Sequence, residues 1–355
     1  MGRVRRRHLR AGRPDHVREL LQPRDHLRRH GPLGPRWRPR LIRRTIGPTT
    51  QAPARAVVPE GGAVTRNSPK PGSGSTAGLR AKLRVPSGGG PVRLRSHDPR
   101  GTPGGPAGKT EALESVPYAR DRITALQERL FAQSTAGDPR SVLVVLQGMD
   151  TSGKGGSVRH LASLLDPAGC RITAFKAPTA EEKAHHFLWR VERAMPGPGR
   201  IGVFDRSHYE DVLVPRVRGR APLSVWEERC ETINSFEASL ADDGVSVVKV
   251  FLHISRDEQR TRLLARLDNP CKHWKFGPAD LEDRARWAAY QQAYGDVLGR
   301  CSTEAAPWYV VPADRKWYRN WAVGRLLMEH LDLIDPVCPP ASFDVEAARK
   351  QLLED

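Results

Sequence analysis

The residues most able to do chemistry lie in one run, Gly148-Met149-Asp150-Thr151-Ser152-Gly153-Lys154-Gly155-Gly156. Gly148, Gly153 and Lys154 satisfy G-x-x-x-x-G-K, a spacing suited to anion binding. The glycines let backbone N–H groups turn toward phosphate oxygens. Lys154 supplies a point charge to the terminal phosphates. A helix starting at the lysine would add the positive end of its dipole. The hydroxyl residue that ordinarily follows the lysine and helps hold Mg²⁺ is here Gly155. Asp150 is the replacement expected for that metal work, with Thr151 and Ser152 as alternatives. Asp150 also reads as a turn-stabilising residue of the loop.

Two further constellations extend this chemistry. Asp205 ends an apolar run and Arg206 follows it. A carboxylate at a strand end beside a phosphate loop can work with a metal ion, and the arginine would face the same anions. The bland reading is a solvated Asp–Arg pair. The second constellation is cationic: Arg256, Arg260, Arg262 and Arg266, then Lys272, His273, Lys275, Arg284 and Arg286. Arg262 and Arg266 share a helix face at i,i+4. Such charges on a lid would close over a transferring phosphoryl group and exclude water. A solvated helix face balanced by Asp257, Glu258, Asp268 and Asp280 is the alternative. His185 and His186 read as surface or packing residues. Trp274, Trp287, Trp308, Trp317 and Trp321 read as core or lid packing, with one of them open to stacking on a base.

The elements that must position these residues are strands alternating with helices. Ser141–Gln147 is a continuous apolar, β-branched run, as a strand buried on both faces requires. Further strands are expected at Arg171–Phe175, Ile201–Phe204, Val245–Ile254 and Trp308–Val311. Helices are expected over Ser157–Leu165, from a capping box at Thr179 to about Met195, and over Ser224–Ala241, Ser255–Leu267, Asp280–Arg300 and Arg315–Leu333. This alternation predicts an α/β fold, a parallel sheet flanked by helices with a basic lid around 256–286. The phosphotransferase domain is expected at 141–335, after a lead-in at 78–140 with a helix at Ile123–Phe131, and a C-terminal tail follows at 336–355. Gly108-Lys109-Thr110 imitates the end of a phosphate loop, but Pro103 occupies the first glycine position and no strand precedes it. It reads as linker.

The chain has 355 residues and a formal charge of +18. Residues 1–77 hold 18 Lys+Arg and 4 Asp+Glu, against 40 and 36 in the remainder. The basicity therefore gives no ground for nucleic-acid binding by the folded part. The first 77 residues are rich in Arg, Pro and Gly and read as a disordered extension, in keeping with a start codon set too far upstream in GC-rich DNA. A polyanion-binding tail or an Arg-rich transit peptide is the alternative. Five scattered cysteines without C-x-x-C spacing point to a cytoplasmic setting rather than a zinc or disulfide scaffold. No apolar run reaches the ~18 residues of a membrane span.

The motifs LQGMDTSGKGG (146–156), FKAPTAEE (175–182), FDRSHYEDVLV (204–214), FLHISRDEQRTRLLARLDNPCKHWKF (251–276) and APWYVVPADRKWYRN (306–320) together resemble the polyphosphate kinase 2 family, in particular its polyphosphate:nucleotide phosphotransferase branch. The resemblance runs from about Leu79 to Asp332. It implies a P-loop kinase fold similar to thymidylate and adenylate kinases. It also implies phosphoryl transfer between inorganic polyphosphate and a nucleoside mono- or diphosphate (AMP, ADP or their guanine equivalents), with Mg²⁺ and without specific nucleic acid or membrane partners. Homo-oligomerisation stays open. By the same resemblance, Asp150, Lys154, Asp205, Arg206 and Arg266 carry catalysis, and Asp150 and Asp205 hold the metal. Gly148, Thr151, Ser152, Gly153, Gly155, Gly156, Glu210 and Arg262 bind phosphate or nucleotide. This branch often carries Asp where Gly155 stands and Asn where Asp205 stands, so the resemblance leaves AMP against ADP undecided. Rival readings are an ATP-dependent nucleotide or small-molecule kinase of the same fold, and a non-enzymatic polyanion binder driven by the N-terminal arginines.

Overall fold

A computed structural model describes residues 78–354; the expectation of a disordered segment at 1–77 lies outside the described residues. In chain order the elements are α1 (Leu79–Leu83), α2 (Lys109–Glu114), α3 (Val116–Thr135), β1 (Ser141–Gln147), α4 (Lys154–Ala162), β2 (Cys170–Ala174), α5 (Ala180–Ala184), α6 (Trp189–Glu192), β3 (Ile201–Asp205), α7 (Glu210–Val217), α8 (Leu223–Asp242), β4 (Val245–His253), α9 (Arg256–Leu267), α10 (Pro278–Ala285), α11 (Trp287–Arg300), β5 (Trp308–Pro312), α12 (Lys316–Ile334) and α13 (Val345–Glu354).

The five strands form one parallel sheet in the order β2-β3-β1-β4-β5. Every residue of β1 is buried, which explains its unbroken apolar run: helices cover both faces. Alternate side chains serve opposite layers. Val142, Val144 and Leu146 join Leu126, Leu164 and Leu327 beneath α3, α4 and α12. On the other side α8 packs against β4 with Ile233 and Phe236 buried. Chain order reverses around β1, and ligands in open α/β sheets bind at the carboxyl ends of strands at such a switch point. The sheet thereby delivers the loop after β1 and the residues after β3 to the same crevice.

Two helical expectations are corrected. The helix from Thr179 to Met195 is two short helices. Its capping box forms, but the chain leaves helical geometry at His185 (φ −109°, ψ 169°), and the His185 ring stacks on Trp189 instead. The helix over Asp280–Arg300 breaks at Arg286 (φ −89°, ψ 20°) into α10 and α11. Helix α7 was not foreseen, because Pro215 stands inside it. Pro215 cannot donate to the Asp211 carbonyl one turn back, and the Arg229 guanidinium donates to that carbonyl instead. Lys109 opens α2 rather than a phosphate loop. In 78–140, Leu79, Leu83, Ile123, Leu126 and Leu130 are buried in the main core.

Candidate active site

The loop between β1 and α4 is built from unusual backbone. Gly148 has φ 155°, Gly153 has φ 105°, and Thr151, not a glycine, has φ 64°. Gly153 caps α4 in the left-handed region, so the first N–H groups of the helix face the loop's interior. Lys154 is the first residue of α4 and is buried; its Nζ donates to the carbonyls of Gly148 at 2.6 Å and Met149 at 3.3 Å. Burial lowers the Lys154 pKa, with Arg206 adding to the effect and Asp150, Glu210 and Asp205 opposing it. The ammonium is thus tethered at the loop's centre on acceptors that a phosphate can replace.

Strand pairing sets the next residues. Leu146 of β1 lies opposite Asp205 of β3, so the Asp205 carboxylate emerges beside the loop that starts two residues later. Arg206 then turns back with φ 67°, its N–H bonded to the Leu146 carbonyl, and its guanidinium pairs with Asp150 at 3.3 Å. Burial works against the Arg206 charge, but Glu210, Asp150 and Asp205 outweigh it and its pKa rises. Glu210, at the start of α7, is enclosed behind Arg206. Burial pushes its carboxyl above the usual range, against the pull of Arg206 and Lys154. With the Gln147 amide turned to suit its neighbours, its nitrogen donates to Glu210 and its oxygen accepts from Ser207.

Arg262 on α9 has all five guanidinium donors engaged. Nε meets Glu258 at 2.7 Å, Nη1 meets the Thr151 and Ser152 carbonyls, and Nη2 meets those of Ala313 and Asp314. It therefore staples the phosphate loop to the turn after β5. Gln259 on the same helix donates to the Asp150 carbonyl. Helix α9 is anchored to the loop, while the 3-10 segment Pro270–Lys275 and α10 lie farther along the chain. Arg266 donates to the Lys275 carbonyl and lies 3.7 Å from Asp280, tying those pieces to α9.

Two cavities meet at these residues. One, of about 470 Å³, is lined by Asp150, Thr151, Gly153, Lys154, Gly155, Gly156, Asp205, Arg206, Arg262 and Arg266. Arg159, Lys176, Lys272, Lys275 and Lys316 also line it, so it is a cationic trough. The other, of about 640 Å³, includes Gly148, Glu210, Arg190, Tyr290 and Tyr294, and shares Asp150, Lys154 and Arg206 with the first. Ser152 is buried beneath the loop, its hydroxyl and that of Thr151 without a hydrogen-bond partner. Sequence reasoning missed Arg159, Lys176 and Lys316, and it did not single out Arg190 or Arg319. They come from α4, the segment after β2, α6 and α12, and only their motif membership at 175–182 and 306–320 marked Lys176, Lys316 and Arg319. Trp308 is buried; Trp287, Trp317 and Trp321 are partly buried against the core cluster that holds Leu126 and Leu327; Trp274 is exposed.

The donor set suits a hard divalent cation. Asp150 and Asp205 line the same trough, and a Cβ placed on Gly155 would lie 3.9 Å from Asp205 Oδ2. The position that ordinarily offers a metal-binding hydroxyl therefore adjoins this carboxylate. Among the described residues no three His, Cys, Asp or Glu side chains gather as a cage. One or two carboxylates completed by phosphate oxygens and water is the way Mg²⁺ is usually held.

The chain has close relatives. The AMP/ADP-polyphosphate phosphotransferase of Meiothermus ruber is 47% identical over 243 residues, covering 68% of this chain and 90% of that protein. The ADP-polyphosphate phosphotransferase of Rhodopseudomonas palustris is 41% identical over 246 residues, 66% of this chain and 83% of that one. The crystal structure of Polyphosphate Kinase 2 from Arthrobacter aurescens TC1 superposes with a TM-score of 0.75 at 47% identity, covering 78% of this chain and 97% of that one. Residues 114–337 match the sequence profile described as Polyphosphate kinase 2 (PPK2). A match of this extent, on a fold whose phosphate loop and strand-end carboxylate stand side by side, places the chain in the polyphosphate kinase 2 family.

Proposed function

We propose that the protein transfers a terminal phosphoryl group between inorganic polyphosphate and a nucleoside mono- or diphosphate, with Mg²⁺. The observation that carries this reading is the pair of cavities sharing Asp150, Lys154 and Arg206. The cationic trough suits a linear polyanion. The second cavity, with Tyr290, Tyr294 and Leu213 among its walls, suits a nucleoside. The names of the relatives support the same donor and acceptors.

The acceptor oxygen of a nucleotide phosphate is already anionic, so the reaction needs position and charge neutralisation more than a general base. Lys154 would exchange its Gly148 carbonyl for a phosphate oxygen. Arg206, held by Asp150 and Glu210, would offset charge where the two cavities join. Arg266 would act from the α9 side, and Arg262 would keep the loop in shape. Asp150 and Asp205 are the residues that would hold Mg²⁺, whose charge neutralises phosphate oxygens when bound. Five free cysteines among the described residues support placing the reaction in the reducing cytoplasm. No described helix is long and apolar enough to cross a membrane.

The test is to supply purified protein with ADP or AMP, Mg²⁺ and polyphosphate, alongside arms holding another nucleoside triphosphate in place of polyphosphate. Phosphorylated nucleotide is expected only in the polyphosphate arms. Equal transfer from a nucleoside triphosphate without polyphosphate would replace this reading with that of an ordinary nucleotide kinase.

A further inference from the structure

Arg319, one turn into α12, is 4% exposed and lies behind the phosphate loop rather than in either cavity. Its side chain fills the space that Cβ atoms on Gly153 and Gly156 would occupy: a methyl group at Gly153 would collide with Nη1, and one at Gly156 would come within 2.8 Å of Nη2. Two of the loop's glycines are therefore shaped around this guanidinium. Its donors go to neutral acceptors, the Asn320 side-chain oxygen and, at 3.5 Å, the Ser152 carbonyl.

The neighbouring cations are balanced differently. Arg206 pairs with Asp150 and Arg262 with Glu258. No carboxylate among the described residues forms an ion pair with Arg319. The local helix gives no relief, because the first turn of α12 has no acidic residue and its dipole is positive there. Burial, with the nearby Arg262 charge adding to it, lowers the Arg319 pKa to about 10. A buried charge without a counter-charge is costly, and it is retained beside the backbone that would cradle phosphate.

We infer that Arg319 is a positioning residue whose missing counter-charge is the phosphate bound on the other side of the loop. Resting on the polyphosphate reading above, it holds the Gly153–Gly156 backbone in its open form and adds positive potential from behind, where solvent screens it little. In the ligand-free protein it is a liability; with the anion in place it is balanced. Arginine suits this role because its charge persists under burial and its plane fits flat against glycine backbone.

The experiment compares wild type, Arg319→Met and Arg319→Lys in the full chain, by thermal unfolding and by calorimetric titration with inorganic tripolyphosphate. The expected result is an Arg319→Met protein at least as heat-stable as wild type without ligand, yet binding tripolyphosphate 10-fold or more weakly. Its KM for polyphosphate should rise more than kcat falls, and Arg319→Lys, which keeps a charge but not the plane, should recover part of the affinity. A purely structural residue would give a lower unfolding temperature with unchanged affinity in the folded fraction, and that pattern overturns the inference. So do equal affinity in Arg319→Met, failure of Arg319→Met to fold, and failure of Arg319→Lys to recover affinity. Failure of wild type itself to bind tripolyphosphate would overturn the polyphosphate reading instead.

Discussion

Arg206 reaches Asp150 across 3.3 Å from a backbone with φ 67°, while Thr151, next to Asp150, has φ 64°. Left-handed backbone costs a non-glycine residue roughly 1–2 kcal/mol. One such residue in the ion pair and another beside its partner mean that the fold maintains strain to aim that pair.

This separates stability from activity at position 206. Arg206→Ala and Arg206→Gly should both lose about 10²–10³-fold in kcat/KM, the scale of a lost charge-stabilising donor. Glycine, however, accepts positive φ without strain, so Arg206→Gly should be about 1 kcal/mol more stable than Arg206→Ala. Denaturant midpoints of the two variants measure the difference, and identical midpoints would remove strain from the account.

Lys154 holds the Gly148 carbonyl at 2.6 Å in the ligand-free loop. Lys154→Ala should lower kcat/KM by about 10²–10³-fold. Its lowered pKa also sets a pH limit. Only the protonated amine offsets phosphate charge, so activity is lost as pH rises through that lowered value. The kcat/KM profile, which reports the free enzyme, should show an alkaline limb starting below 10.5, the ordinary lysine value. A profile flat up to that pH would contradict the assignment.

Arg262 joins three segments through five hydrogen bonds, and its side chain is 10% exposed. Arg262→Ala would leave four backbone carbonyls at 151, 152, 313 and 314 without this donor and Glu258 without its partner. A loss of about 2–4 kcal/mol is expected, with KM for polyphosphate rising because the loop loses its brace. Lysine carries the charge but lacks the planar fork, so Arg262→Lys should recover little of the stability. Urea unfolding of both variants provides the measurement, and near-wild-type stability in Arg262→Ala would show that the staple is dispensable.

The sequence carried the sheet well because strand burial writes itself into composition. Ser141–Gln147 read as a strand covered on both faces, and Asp205 could be placed because it ends an apolar strand, and strand carboxyl ends line the crevice in open α/β sheets. The arginines of α9 were visible as charges, but not their partners. That Arg262 faces inward to carbonyls, while Arg266 faces the trough, depends on where α9 lies against the turn after β5. Arg319 was harder still. Its meaning comes from α12 passing behind α4, a contact across more than 160 residues of chain, and nothing in its own neighbourhood shows that its counter-charge is missing. Helix α7 was hidden by Pro215, and the break at His185 by a capping box that predicts where a helix starts, not where it stops.

Acid should unfold the protein through two buried histidines. Burial is the largest cause holding His253 and His330 at about 4 rather than 6.5. His97 and Asp98 act on His253 with opposite sign, and Arg80 and Glu329 act likewise on His330. For His330 the hydrogen bonds give a reason beyond burial. Nδ1 lies 2.7 Å from the Leu326 carbonyl and donates to it, which leaves Nε2 to accept from the Tyr309 hydroxyl at 3.2 Å. That hydroxyl itself accepts from Arg80 Nε. A second proton on the ring would set donor against donor. The sign follows: folded-state values lie below the unfolded ones, so the stabilisation is complete above pH 6.5 and is lost as pH falls toward 4. Each group accounts for up to about 3 kcal/mol. Urea midpoints measured between pH 7 and 4 should fall steeply for wild type and less steeply for His330→Gln, which has no proton to take up. Parallel slopes would mean that the ring is charged in the fold, in conflict with the hydrogen bonds that Leu326 and Tyr309 make to it.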